Sequence, residues 1–238
     1  MINLYGILIS FSILFCILVA ESLAKSTKED KNFIWELSPW VIMSGLIGAR
    51  IYHVISAFSY YLARPLEVFY IWNGGLGIWG AVVGGFIGSL IYLKRRKKEV
   101  WFWLDLCAVT LPLGQAIGRW GNFFNREIYG SQTSLPWGIN VNGRKYHPLF
   151  LYESLFDLLN FILLYLLYKR TDLKMGLKRK PGFFTFLYLL NYSVIRFVME
   201  LFRQDSWKVY GLNVSLLIPI LLFMTALFCL LRISGRRV

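Results

Sequence analysis

Tyr188, Tyr192, Arg196, Glu200 and Arg203 recur at spacings of four, four, four and three residues. On a helix that spacing puts all five on one face. Such a face can grip an anion, because a guanidinium is a permanently charged planar fork of donors that matches phosphate. The alternative is an internal Arg/Glu pair that only fixes helix packing. A second set lies in the run from Gly118 to Gly130, GRWGNFFNREIYG. Arg119 and Asn122 share a face if a helix continues through them. Gly118 and Gly121 permit either a break or a close approach of the backbone to a ligand. An N-cap and turn closing an outer loop would account for Asn125 and Gly130, but not for Arg119 beside apolar residues. A third set runs from Tyr146 through His147 and Pro148 to Glu153. Pro148 suits a first helical turn, which leaves His147 near the cap position. His147 is then either a hydrogen-bonded capping group or a general acid/base.

The elements that must hold these groups are membrane helices. Of 238 residues, 57% are hydrophobic and 16% charged, and the mean hydropathy is +0.53. This excludes disorder, a collagenous repeat and a disulfide scaffold. Cys16, Cys107 and Cys229 lie far apart within apolar runs and without a CxxC, so they read as buried, unreactive thiols. Taking about 20 apolar residues per crossing, the sequence predicts seven spans near 2–20, 41–62, 76–93, 101–118, 149–168, 182–202 and 211–231. The fold class is all-α, a polytopic membrane protein forming a single domain over 1–238. No basic residue precedes the apolar stretch Ile7–Ala20, which predicts a retained anchor rather than a cleaved signal.

The net charge is +13, from 26 Lys+Arg and 13 Asp+Glu. Most basic residues fall in four segments: Lys25, Lys28 and Lys31; KRRKK at 94–98; Lys169, Arg170, Lys174, Lys178, Arg179 and Lys180; and Arg232, Arg236 and Arg237. With seven spans these segments share one side. The positive-inside rule then puts the N-terminus outside and the C-terminus in the cytoplasm, although the link 21–40 also carries acids. The basic excess reads as topology and anionic-lipid attraction, not nucleic-acid binding. Several remaining cations sit inside or at the outer ends of spans, where a charge costs several kcal/mol unless it faces a polar interior. Gly80, Gly84 and Gly88 repeat every four residues and predict close helix packing. Arg50 and His53 form a polar pair whose role the sequence leaves open.

The run GRWGNFFNREIYG resembles the signature of the prolipoprotein diacylglyceryl transferase family, G-R-x-G-N-F-x-N-x-E-x-x-G, at every fixed position. Other family elements follow in order: Tyr5-Gly6, Gly48-Ala49-Arg50, Trp72-Asn73-Gly74-Gly75-Leu76, His147-Pro148 with Leu151-Tyr152-Glu153, and Arg196-Phe197 with Glu200 and Arg203. The likeness covers nearly the whole chain. It implies a seven-span bacterial enzyme of the plasma (inner) membrane with its N-terminus outside. Its partners would be phosphatidylglycerol in the bilayer and prolipoprotein signal peptides bearing a lipobox cysteine. The diacylglyceryl group would pass to that thiol, giving a thioether and releasing glycerol phosphate.

On this resemblance Arg119 and Arg196 are the essential arginines, placed to stabilise charge that builds on the leaving phosphate in a low-dielectric cavity. Asn122, Gly130, Tyr5, Tyr192 and Arg203 would bind substrate. The nucleophile arrives with the acceptor, so the chain needs no reactive cysteine of its own. A thiol of pKa near 8.5 is only a few per cent thiolate at pH 7 and calls for help. Where many members carry a histidine discussed as the base, this chain has Trp79, which cannot accept a proton. Either His147, Glu127 or Glu200 is the base, or the cationic site lowers the thiol pKa without one. The family's Arg-x-Trp-Tyr-Gly start is reduced here to Asn3-Leu4-Tyr5-Gly6. No metal or nucleotide cofactor is suggested, since there is no clustered His/Cys set and no glycine-rich phosphate loop after a strand. An anion transporter would also bury arginines, but it predicts an internal repeat and none is found. A purely structural subunit is disfavoured by the cost of so many intramembrane charges.

Overall fold

The protein is described by a computed structural model covering residues 4–27, 29–173, 180–203, 208–209 and 212–235. Of the basic residues in the charge count, Lys28, Lys174, Lys178, Arg179, Arg236 and Arg237 lie outside these. The helices are α1 (Leu4–Ala24), α2 (Phe33–Ser56), α3 (Phe58–Ala63), α4 (Ile78–Arg95), α5 (Val100–Phe124), α6 (Leu149–Leu173), α7 (Phe183–Leu201) and α8 (Val214–Gly235). Two short antiparallel pairs interrupt them, β1 (Ile139–Val141) with β2 (Arg144–Tyr146) and β3 (Lys208–Val209) with β4 (Leu212–Asn213).

Among the described residues, α1, α5, α6, α7 and α8 are long and apolar enough to cross a membrane. The predicted spans near 41–62 and 76–93 correspond to α2 and α4. These helices have 24 and 18 residues and are not among those five. Glu36, Pro39, Arg50 and His53 dilute α2, and four glycines with Lys94 and Arg95 dilute α4. Helix α2 begins eight residues before the predicted span, because Phe33, Ile34 and Leu37 are buried and extend its apolar face toward the N-terminus.

The chain divides into two compact units, Met1–Glu29 with Trp101–Val238, and Asp30–Val100. In the first, Leu23, Trp103, Leu106, Val109, Leu149, Leu164, Tyr168, Phe184 and Met199 are almost fully buried. Large apolar side chains such as Phe11, Phe15, Leu221, Met224 and Leu231 stay exposed, as expected of a surface that meets hydrocarbon. Two carboxylate and ammonium caps fix helix ends here. Asp105 of α5 accepts the Gly182 N–H at 2.9 Å and the Thr185 N–H at 2.8 Å, placing an anion at the start of α7. Lys180 donates to the carbonyls of Ile233 and Ser234, both at 3.0 Å, closing the end of α8. Helix α5 ends in a Schellman turn, with Glu127 N–H on Asn122 O and Arg126 N–H on Phe123 O. Arg126 takes the left-handed position, φ 55°, that glycine usually fills.

The second unit is built on α2 against α4. A Cβ on Gly48 would lie 2.3 Å from Gly80 O, and one on Gly84 would lie 2.4 Å from Ser44 O. The two backbones touch, as the four-residue glycine spacing predicted, and no larger residue fits between them. Arg50 resolves its open role here. It is buried and donates to the main-chain carbonyls of Glu67, Val68, Tyr70, Gly74 and Gly75, so it organises the connection between α3 and α4.

Candidate active site

Arg119, near the C-terminal end of α5, and Arg196, three-quarters of the way along α7, meet on a carboxylate of the helix between them. Glu153 of α6 lies 2.5 Å from Arg119 Nε through Oε2 and 3.2 Å from Arg196 Nη1 through Oε1. Arg196 Nη2 donates to Glu200 Oε2 at 2.9 Å, and Arg203 Nη1 lies 3.9 Å from the same oxygen. Three guanidiniums thus share two carboxylates in one continuous chain. The carboxylates are almost fully buried, while the arginine side chains keep between 21% and 30% of their surface. The acids are more deeply buried than the cations. The predicted α7 face packs against its neighbours, with Tyr188 and Glu200 buried and the Tyr188 and Tyr192 rings stacked at 5.9 Å. The internal Arg/Glu pair left open by the sequence exists, within a network richer in cations than in ion-paired acids.

Helix direction explains the meeting. The start of α7 sits on Asp105 and its far end on Glu153, so α5 and α7 run parallel with α6 antiparallel to both. On α6, Glu153, Asp157 and Asn160 follow at intervals of four and three, one polar stripe facing its neighbours. Asn160 Oδ1 accepts from Asn191 Nδ2 at 2.8 Å. Asp157 is buried, and its Oδ1 has no hydrogen-bond partner, as is also true of Gln115 Oε1 one turn before Arg119.

Several of the other predicted residues gather near the C-terminal ends of α5 and α7 and the start of α6. Asn122 is buried and donates to Glu127 Oε1 at 3.0 Å, and Asn125 donates to the same oxygen at 3.3 Å. Helix α5 continues unbroken through Gly118 and Gly121, so neither is a break. A Cβ on Gly121 would meet the Tyr5 ring at 2.3 Å, so the space beside Gly121 is filled by Tyr5 and not left for a ligand. Tyr5 itself is brought against α5 beside Asn122. Gly130 donates its N–H to His147 O at 2.9 Å and forms an antiparallel bridge with Arg203. A Cβ there would fall 2.7 Å from His147 Cβ. His147 precedes α6 by two residues, and its Nδ1 lies 3.2 Å from the Tyr152 hydroxyl. Trp79 stands in the first turn of α4, in the other unit.

The sequence reading missed Glu153 as the hub and missed Asp157 and Gln115 altogether. The signal was present in the polar stripe of α6. It was masked by the dipeptide context of Tyr152-Glu153, which reads as a helix start. The three thiols are half-buried rather than buried, and Cys16 Sγ lies 3.3 Å from Thr110 O. Surface hollows among the described residues include one along α1 at Gly6, Ile7, Ser10, Phe11 and Leu14, and one at Gln132, Thr133, Ser134, Arg144 and Lys145. Neither is lined by the arginine chain.

Comparison with known proteins matches residues 1–232 to the sequence model of the family described as prolipoprotein diacylglyceryl transferase. The chain is 37% identical over 229 residues to a phosphatidylglycerol–prolipoprotein diacylglyceryl transferase of Synechococcus elongatus, covering 92% of this chain and 79% of the relative. It is 39% identical over 216 residues to the protein of that name from Finegoldia magna, covering 91% and 85%. A third, from a Nostoc species, is 38% identical over 224 residues, covering 90% and 79%.

Proposed function

The chain belongs to the prolipoprotein diacylglyceryl transferase family, and on that premise we propose how its residues carry the reaction. It transfers the diacylglyceryl group of phosphatidylglycerol to the cysteine thiol of a prolipoprotein, the first step of lipoprotein maturation. The thiol sulfur attacks the glycerol carbon that bears the phosphate. A thioether forms as the carbon–oxygen bond breaks, and glycerol phosphate leaves.

Arg119 and Arg196 hold the phosphate and meet the charge that grows on it as the bond breaks. What carries this reading is the chain of three guanidiniums on two buried carboxylates, of which Arg119 lies in the signature run and the others in the further elements that resemble the family. Arg203 completes the cationic rim, Tyr192 lies beside it, and Asn122, Gly130 and Tyr5 shape the headgroup seat. Glu127, held by two amides, orients the turn after α5. Glu200 keeps Arg196 and Arg203 aligned, and His147 supports the connection between Gly130 and α6.

In the membrane, α2 and α4 join the five apolar helices as spans, giving seven, with the N-terminus outside and the C-terminus cytoplasmic. The parallel α5 and α7 and the antiparallel α6 support that threading. It puts the arginines toward the outer leaflet of the bacterial plasma membrane, where a lipid and a lipobox cysteine arrive sideways. The single transferase domain spans both units, and the family match across both supports this.

Purified protein in vesicles with headgroup-labelled phosphatidylglycerol and a lipobox peptide is expected to yield thioether peptide and free labelled glycerol phosphate. A peptide with serine in place of cysteine yields neither. Failure of the cysteine peptide to react overturns the assignment.

A further inference from the structure

We propose that Glu153 takes the proton of the acceptor thiol, and that the arriving phosphate frees it to do so. This rests on the transferase reading above. Glu153 holds both arginines that the phosphate must reach, at 2.5 Å and 3.2 Å. A phosphodiester seated on those guanidiniums therefore competes with Glu153 for the same donors. The exchange is lopsided. Arg196 keeps Glu200 at 2.9 Å, whereas the ion pair of Arg119 among the described residues is with Glu153 alone. Glu153 loses both partners, and its Oε2 already lacks a hydrogen-bond donor despite its closeness to Arg119. A buried carboxylate stripped of its guanidiniums is a much better proton acceptor than one that holds them.

The charged and titratable groups facing Glu153 favour the same outcome. Arg119 approaches from α5, Arg196 and Tyr192 from α7, and Asp157 lies one turn along on α6 itself. With the cations turned to phosphate, Asp157 and Tyr192 are the titratable neighbours left facing Glu153 among the described residues. The base candidates named from the sequence are committed elsewhere. Glu127 is tied to Asn122 and Asn125, His147 to Tyr152, and Glu200 to the arginines it aligns. Trp79 carries no basic nitrogen.

The step balances within the substrates. The S–H proton moves to Glu153, sulfur bonds to the glycerol carbon, and the carbon–oxygen pair departs on the phosphate. Glu153 returns the proton to the leaving glycerol phosphate and re-forms its two ion pairs as product departs.

The test uses the full chain in phosphatidylglycerol vesicles, with a lipobox peptide and turnover followed across pH. Glu153→Gln is expected to lose about 100-fold or more at pH 7 while retaining labelled phosphatidylglycerol at least as well as wild type. Its deficit should shrink by about tenfold per pH unit as the thiol nears its own pKa of about 8.5. Glu153→Asp should keep the wild-type profile shape at a lower rate, and it decides the matter if the Gln variant does not fold. Near-wild-type turnover of Glu153→Gln at pH 7, a deficit constant with pH, or loss of lipid retention overturns the proposal, as does an Asp variant with an altered profile. An inactive wild type overturns the parent reading instead.

Discussion

Asp105 Oδ1 accepts both the backbone N–H of Thr185, at 2.8 Å, and its hydroxyl, at 2.6 Å. One carboxylate of α5 therefore anchors the first turn of α7, roughly 21 Å along the helix from Arg119 at about 1.5 Å per residue. Removing it should loosen α7 from the end opposite the arginines. Asp105→Ala is expected to cost about 2 kcal/mol, since hydrogen bonds to a charged group carry that order of stability. The measurement is the thermal midpoint of the purified protein, which should fall by several degrees, with Asp105→Asn intermediate.

Arg119→Ala and Arg196→Ala should each abolish transfer, a loss of about 100-fold or more, with membrane insertion intact. Lysine at either position should recover only part of the rate, because a point charge lacks the planar fork. Turnover by labelled lipid, alongside membrane fractionation, checks both halves. Wild-type rates in either alanine variant would refute the phosphate clamp.

Gly130→Ala pushes a methyl group to 2.7 Å from His147 Cβ and 3.1 Å from Phe202 O. The bridge to Arg203 must shift, at a cost of roughly 1–3 kcal/mol. We expect reduced turnover, with protein level in the membrane close to wild type.

Gly48→Ala and Gly143→Ala separate crowding from backbone strain. The first drives a methyl into Gly80 O, at 2.3 Å, whereas the second meets nothing within 4 Å and bears only its φ of +82°. Limited proteolysis should open the Asp30–Val100 unit in Gly48→Ala and leave Gly143→Ala close to wild type.

Arg50→Lys keeps the charge and loses the fork that reaches five carbonyls. The connection from Arg64 to Gly77 should then become sensitive to protease, while a conservative change at the exposed Arg64 leaves it protected.

The five apolar helices, the α7 stripe and the glycine packing were legible in the sequence, because each is a pattern within one helix. The helical spacing of Tyr192, Arg196 and Glu200 is local information. The partner of Arg119 was not legible, since Glu153 lies 34 residues away and only the antiparallel return of α6 brings it near. Gly121 misled for a related reason. A small residue advertises room, but the occupant, Tyr5, comes from another helix. Arg50 likewise needed the fold, because its ligands are main-chain carbonyls that leave no mark on residue type.

The segment around Gly130 bonds at once to the stretch entering α6 and to the residue just past α7, while its own chain descends from α5. Three helices are thereby laced together at one rim by main-chain bonds. A surge in local bilayer thickness that tugged on any one of them would have to tear the knot shared by all. The separation of Arg119 and Arg196 therefore rests on this main-chain lacing as well as on their shared carboxylate.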